Sequence, residues 1–158
     1  MHSITIYKGQ RRIILTNQNK TILECAIGLG PFPLGPKGLE GDGRTPEGCY
    51  FVCTRNERSK YTLFLGISYP SPLDAQSAYQ NGLLTYSQLA AIDNACSNKL
   101  RPPWDTPLGG QIGIHGGGIE RPDGCLADNT AGCIALRDED IKKLWPLAQI
   151  GTPVIIKP

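Results

Sequence analysis

The chain is 158 residues long, with a formal net charge of +2, 40% hydrophobic residues and 19% charged residues. That length supports one domain with a substantial core, and that balance excludes a disordered chain. No lysine/arginine cluster exceeds Arg11-Arg12 and no apolar run reaches the roughly 18–20 residues of a membrane span, so neither nucleic acid nor a bilayer is an expected partner.

Alternating apolar positions predict strands over Ile4–Tyr7, Arg12–Leu15 and Thr21–Gly28, with Asn17-Gln18-Asn19-Lys20 as turn chemistry before the third. Residues 30–48 read as a loop rich in glycine, proline and charge. Strands follow at Cys49–Arg55 and Tyr61–Ile67, which makes a β-meander of about five strands. The pattern then changes. Asp74–Tyr79 reads as a short helix. Thr85-Tyr86-Ser87-Gln88 is a capping box, and Leu89, Ile92 and Cys96 recur at helical spacing, so Thr85–Asn98 is an amphipathic helix. Arg101-Pro102-Pro103-Trp104 ends it. A strand is expected at Ile112–His115. Asp138 is expected to cap a last helix, Glu139–Trp145, whose acidic start and Lys142-Lys143 suit the helix dipole. Thr152–Ile156 reads as the final strand. The expected class is mostly β (a β-rich α+β fold), a sandwich or meander with two or three helices packed on the sheet, in one domain over residues 1–158.

Cysteines occupy positions 25, 49, 53, 96, 125 and 133. An even count permits disulfides, but the spacing identifies no pairs. Cys49 and Cys53 resemble a metal-binding fragment. They lie within a strand-like run, however, and no second ligand pair stands nearby, so no metal or cofactor is expected. Cys25, Cys49, Cys53 and Cys96 are expected to be small buried hydrophobes.

Cys133 is different. It follows Gly132 and precedes an apolar run, and His115 ends another apolar run eighteen positions earlier. A thiol attacks as the thiolate, and a neighbouring imidazole is the commonest means of forming one. The only other histidine, His2, stands at an end that looks disordered, so His115 is the expected base. Backbone N–H groups of Gly132 and Cys133 are the expected oxyanion donors.

The order His115, fourteen residues, then Thr130-x-Gly132-Cys133 resembles the signature of the L,D-transpeptidase catalytic domain, the YkuD-like family. Gly41-Asp42-Gly43-Arg44-Thr45-Pro46-Glu47-Gly48 resembles that family's Thr-Pro-x-Gly turn, in the form seen in a subgroup that includes peptidoglycan hydrolases. Asp105-Thr106-Pro107-Leu108-Gly109-Gly110 and Gly151-Thr152-Pro153-Val154-Ile155-Ile156 extend the likeness over nearly the whole chain. The resemblance implies a fold of the L,D-transpeptidase type. It implies Cys133 as nucleophile, and His115 as base, oriented by the Gly116 carbonyl. It also implies Thr130 as a brace for the cysteine loop and Gly117 beside the substrate. Two positions depart from the pattern. Ala131 stands where many relatives carry histidine. Ala135 stands where many carry an arginine that meets substrate, which leaves Arg137 as the candidate replacement.

The expected function is acyl transfer on peptidoglycan stem peptides through a thioacyl-enzyme, as an L,D-transpeptidase. Water in place of the acceptor amine would make it an L,D-carboxypeptidase or a crosslink or protein–peptidoglycan amidase. An inactive cell-wall binding module would not need the Cys133–His115 pair, and a papain-like protease has the opposite order of cysteine and histidine. Carbapenem-type inhibitors, a monomeric state and a periplasmic or cell-envelope location follow as expectations from the family. No charged and apolar leader precedes Ile4, so a trimmed or mature form, delivery without a cleaved signal, and a cytosolic site all stay open. The Gly116–Asn129 loop is expected to control access, and Cys125 within it is a candidate partner for a disulfide with Cys133.

Overall fold

The computed structural model describes residues 1–158. The elements in chain order are β1 (His2–Tyr7), β2 (Arg12–Asn17), β3 (Lys20–Ala26), β4 (Gly48–Ser59), β5 (Thr62–Ile67), α1 (Pro72–Gln80), α2 (Tyr86–Ser97), β6 (Gly113–His115), β7 (Ile134–Ala135), α3 (Asp138–Leu144) and β8 (Pro153–Lys157). The fold is mostly β, with three helices against a curled sheet of strand order β3-β2-β1-β8-β4-β5-β6-β7.

The first hairpins form for the expected reason. Gln18 and Asn19 both take positive φ, 49° and 65°, the backbone that a two-residue hairpin turn requires. The alternation then sets one face inward: Ile4 pairs with Leu15 and Ile6 with Ile13, and all four are buried. β8 lies parallel to β1 on its other edge, placing Val154 beside Ile4 and Ile156 beside Ile6. Each such fully buried aliphatic side chain contributes roughly 1.5–3 kcal/mol.

The sheet is not the continuous meander expected from the first five strands. The last strand, β8, inserts between β1 and β4, antiparallel to β4. Local alternation cannot reveal such a long-range crossover. β4 is long because it serves two partners, β8 at its start and β5 at its end, with a register shift between Val52 and Thr54. That shift breaks the alternation. Cys53 is buried but Cys49 is exposed, contrary to the expectation for Cys49. Cys25 is buried and Cys96 half-buried, as small apolar groups against the core. His2 is paired with Asn17 in β1, so the chain start is ordered strand.

The helices follow their caps. Ser71 and Thr85 each form a complete capping box, with Asp74 and Gln88 respectively. Asp138 does not cap α3. Arg137 holds that position without a side-chain bond, and Asp138 turns its carboxylate elsewhere. Past β3 the chain meets β7: Gly28 and Ala135 exchange both backbone hydrogen bonds at 2.9 Å, which closes the curled sheet beside the cysteine loop. A side chain at Gly28 would enter this seam, since its β-carbon would lie 2.2 Å from the Ala127 carbonyl oxygen.

Candidate active site

β6 and β7 run side by side in parallel, pairing Ile114 with Ile134 and His115 with Ala135. One step back along this register sets Cys133 opposite Gly113. Cys133 and His115 therefore lie two residues apart on the same face of neighbouring strands. Both open on a cleft of about 1050 Å³ whose walls include Tyr61, Phe64, Trp104 and Thr130. Gly113 has no space for a side chain: a β-carbon there would lie 2.5 Å from the Phe64 ring and 2.6 Å from the Leu65 carbonyl oxygen.

His115 is buried and strongly oriented. Its Nδ1 lies 2.6 Å from the Gly116 carbonyl oxygen. A carbonyl only accepts, so Nδ1 carries the proton and Nε2 presents a lone pair. The Tyr61 ring stacks on the imidazole at 4.3 Å between centroids, and Phe64, its cross-strand partner, lies further out at 6.3 Å. Burial holds the imidazole below its ordinary pKa, and the Gly116 bond opposes that only partly.

Cys133 is half-buried, and its thiol donates to the Gln111 carbonyl oxygen at 3.4 Å. Gln111 has φ 56°, a backbone state costly for a side-chain-bearing residue, and that state belongs to the turn facing the sulfur. Burial pushes the thiol pKa up, against the smaller pull of the Gly113 N–H and Lys37. Burial thus favours the uncharged form of both groups.

The cysteine loop is tied from two sides. Thr130 Oγ1 donates to the Cys133 carbonyl oxygen at 2.8 Å and accepts from the Gly132 N–H at 3.1 Å. Thr45 Oγ1, fully buried, donates to the Gly132 carbonyl oxygen at 2.7 Å. Gly132 has φ 132°, and a β-carbon there would lie 2.5 Å from the Arg44 carbonyl oxygen, so only glycine fits. Asp42 in turn holds the Arg44–Thr45 segment, accepting from Lys37 Nζ, the Gly38 N–H and the Arg44 N–H at 2.9, 2.9 and 3.1 Å. The 41–48 turn is thus a clamp on the Cys133 loop. Of the two expected oxyanion donors, the Gly132 N–H is already given to Thr130. The Cys133 N–H has no partner within the protein.

Gly117 lines the cleft. Arg137 does not. Its guanidinium donates to Glu120 Oε1 at 3.2 Å and to the Gly124 carbonyl oxygen at 2.9 Å, so it pins the loop between β6 and β7. Cys125 is an exposed free thiol on that loop's small turn, its N–H donating to Asp123. Tyr61, Phe64, Trp104 and Gln111 join the site without any sequence signal, since aromatic and polar residues in strands and loops are common. Thr45 lay inside a recognised motif, but its contact did not show.

The chain matches the YkuD family, the L,D-transpeptidase catalytic domain, over residues 2–156. The chain belongs to that family. No significant match is found among curated proteins. Among solved structures, this YkuD domain resembles Bd1075 of Bdellovibrio bacteriovorus, with a TM-score of 0.63 and 23% identity, covering 99% of this chain and 47% of that one. It resembles the helical cell shape determining protein Pgp2 of Campylobacter jejuni equally, with a TM-score of 0.63, 23% identity, 99% of this chain and 47% of that one. A third, the Ldtfm–avibactam carbamoyl enzyme, gives a TM-score of 0.57 and 17% identity over 99% of this chain and 49% of that one. At these identities the likeness is one of fold, and this YkuD domain spans about half the length of each. No helix is long and apolar enough to cross a membrane.

Proposed function

We propose that this YkuD domain is a cysteine acyl-transfer enzyme acting on peptidoglycan stem peptides, as an L,D-transpeptidase of the cell envelope. The observation that carries this reading is the placement of Cys133 and His115 on one face of paired strands, with Nδ1 engaged by Gly116 and Nε2 left free. Nε2 takes the Cys133 proton as the sulfur leaves the Gln111 carbonyl. The thiolate then attacks the peptide carbonyl carbon at an L-centre, and a C–S bond forms. The oxyanion faces the unpaired Cys133 N–H. The C–N bond to the terminal D-residue breaks, and the imidazolium returns its proton to the leaving amine. An acceptor amine repeats these steps in reverse order on the thioester, and a stem peptide crosslink results.

Hydrolysis is the second reading. The same thioester given to water yields an L,D-carboxypeptidase or a crosslink-cleaving enzyme, and the half-buried position of Cys133 on a broad cleft supports entry of water. Incubation with disaccharide-tetrapeptide, with and without a D-amino acid, separates the two by product mass. Exchange of the terminal residue is expected. Net loss of that residue with no exchange would assign carboxypeptidase hydrolysis, and unchanged tetrapeptide together with an uncleaved crosslinked dimer would overturn both readings.

A further inference from the structure

The Gly116–Gly117 peptide group is hydrogen-bonded at both ends. Its carbonyl oxygen accepts from His115 Nδ1 at 2.6 Å, and its N–H donates to Asp138 Oδ1 at 2.8 Å. The same carboxylate oxygen accepts from Thr62 Oγ1 at 2.7 Å. Thr62 directly follows Tyr61, whose ring stacks on the imidazole. Only glycine fits beside this peptide group: a β-carbon at Gly116 would lie 2.6 Å from Asp138 Oδ1, 2.7 Å from the Tyr61 carbonyl oxygen and 2.9 Å from Ile141 Cγ2. Asp138 is itself fixed in the first turn of α3, which is anchored by buried Ile141 and Leu144.

We infer that Asp138 is the remote acidic member of a Cys133–His115–Asp138 relay, in which one peptide group stands between carboxylate and imidazole. A serine or cysteine triad uses a direct carboxylate–imidazole bond. Here the carboxylate binds the amide N–H, and the carbonyl of the same amide binds the imidazole. An amide that donates to an anion is polarised, so its oxygen becomes a stronger acceptor. The carboxylate thereby favours the imidazolium that forms on thiol deprotonation, and partly offsets the burial that disfavours it. Asp138 touches no reacting atom, so it is a positioning residue. The inference rests on the reading of His115 as the base.

The carboxylate is ionised across the working range, since the Thr62 and Gly117 bonds hold its pKa below the ordinary value. The other ionisable groups lining the cleft with the imidazole are Cys133, Tyr61, Lys60, Arg58, Lys37 and Glu40, with Lys142 beside Asp138. Asp138 is exposed, so solvent screens its charge and the effect on His115 is modest.

The test is an NMR titration of the His115 ring, which requires no substrate. Asp138→Asn keeps an acceptor oxygen of the same shape and removes the charge. The His115 pKa should fall by about half a unit in this variant, and its Nδ1 proton should move upfield. Thr62→Val releases the hairpin tie but keeps the carboxylate, and should leave the His115 pKa in place. In the unsubstituted protein, acidification below the ordinary aspartate range should move the Gly117 amide proton and the His115 Nδ1 proton together. This last arm holds even if a variant fails to fold. An unchanged His115 pKa in Asp138→Asn, an equal fall in Thr62→Val, or a Gly117 inflection not felt at Nδ1 would overturn the relay. Failure to turn over stem peptides would instead overturn the functional reading and leave these ring measurements standing.

Discussion

Thr45→Val tests whether the 41–48 turn clamps the nucleophile. Valine replaces the hydroxyl with a methyl group of similar size, so the main loss is the 2.7 Å bond to the Gly132 carbonyl oxygen. Both residues are buried, and water does not readily replace the lost donor. Leaving a buried acceptor unpaired costs about 1–3 kcal/mol. For a domain of this size each kcal/mol lowers Tm by roughly 2–4 °C, so the fall should be about 2–12 °C. The lost bond is one residue from the sulfur, so the loop should also lose precision. A displacement of the reacting atom by a fraction of an ångström costs roughly 10- to 100-fold in kcat/KM. The assay pairs thermal unfolding with tetrapeptide turnover. Thr45→Ser is the control: it keeps the hydroxyl and should retain most of the activity. Equal Tm and equal turnover in the valine and serine variants would refute the clamp.

Three further outcomes are expected. Cys133→Ser should fold normally and lose turnover, because the buried His115 imidazole cannot activate an alcohol to a comparable degree; circular dichroism and product analysis check both halves. His115→Gln should slow acylation by about 10²–10⁴-fold in single-turnover assays. It should also alter the pH dependence of stability. The folded-state pKa of His115 lies below its ordinary value of 6.5, so its contribution is present above pH about 6.5 and is lost as pH falls through the folded pKa. The Tm advantage of the wild type over His115→Gln should therefore shrink on acidification, and a constant difference would contradict the assigned burial effect. Arg137→Ala should leave KM for the tetrapeptide nearly unchanged, since the guanidinium is engaged by Glu120 and Gly124, and a large rise in KM would return it to the substrate site.

The parts of this protein legible in its sequence are those set by short-range chemistry. The capping box at Thr85, the turn at Gln18-Asn19 and the alternation of Ile4, Ile6, Ile13 and Leu15 each act over a few residues, and each appears in the structure. The Cys133–His115 pairing was legible only through the resemblance, because the two lie on separate short strands that local periodicity hardly marks. What stayed hidden depends on long-range pairing. β8 enters the sheet from the chain end, so the five-strand meander looked continuous when it is not. The switch of partners along β4 turned Cys49 outward. Asp138 satisfied every rule for a helix cap, yet tertiary contacts offered its carboxylate better partners in Gly117 and Thr62. Arg137 pairs with Glu120, seventeen residues earlier in the chain, a contact that local sequence does not mark.

All six cysteines are free, and two of them, Cys49 and Cys125, are exposed. Exposure and the proposed nucleophilic role therefore point to different residues, and a single labelling experiment separates them. The protein is incubated with a carbapenem, its intact mass is measured, and the adduct is located by peptide mapping. One adduct on Cys133, absent from Cys133→Ser and slowed in His115→Gln, is the predicted result. No adduct, or an adduct carried by Cys49 or Cys125 with Cys133 unmodified, would contradict the assignment of Cys133 as the acyl-accepting nucleophile.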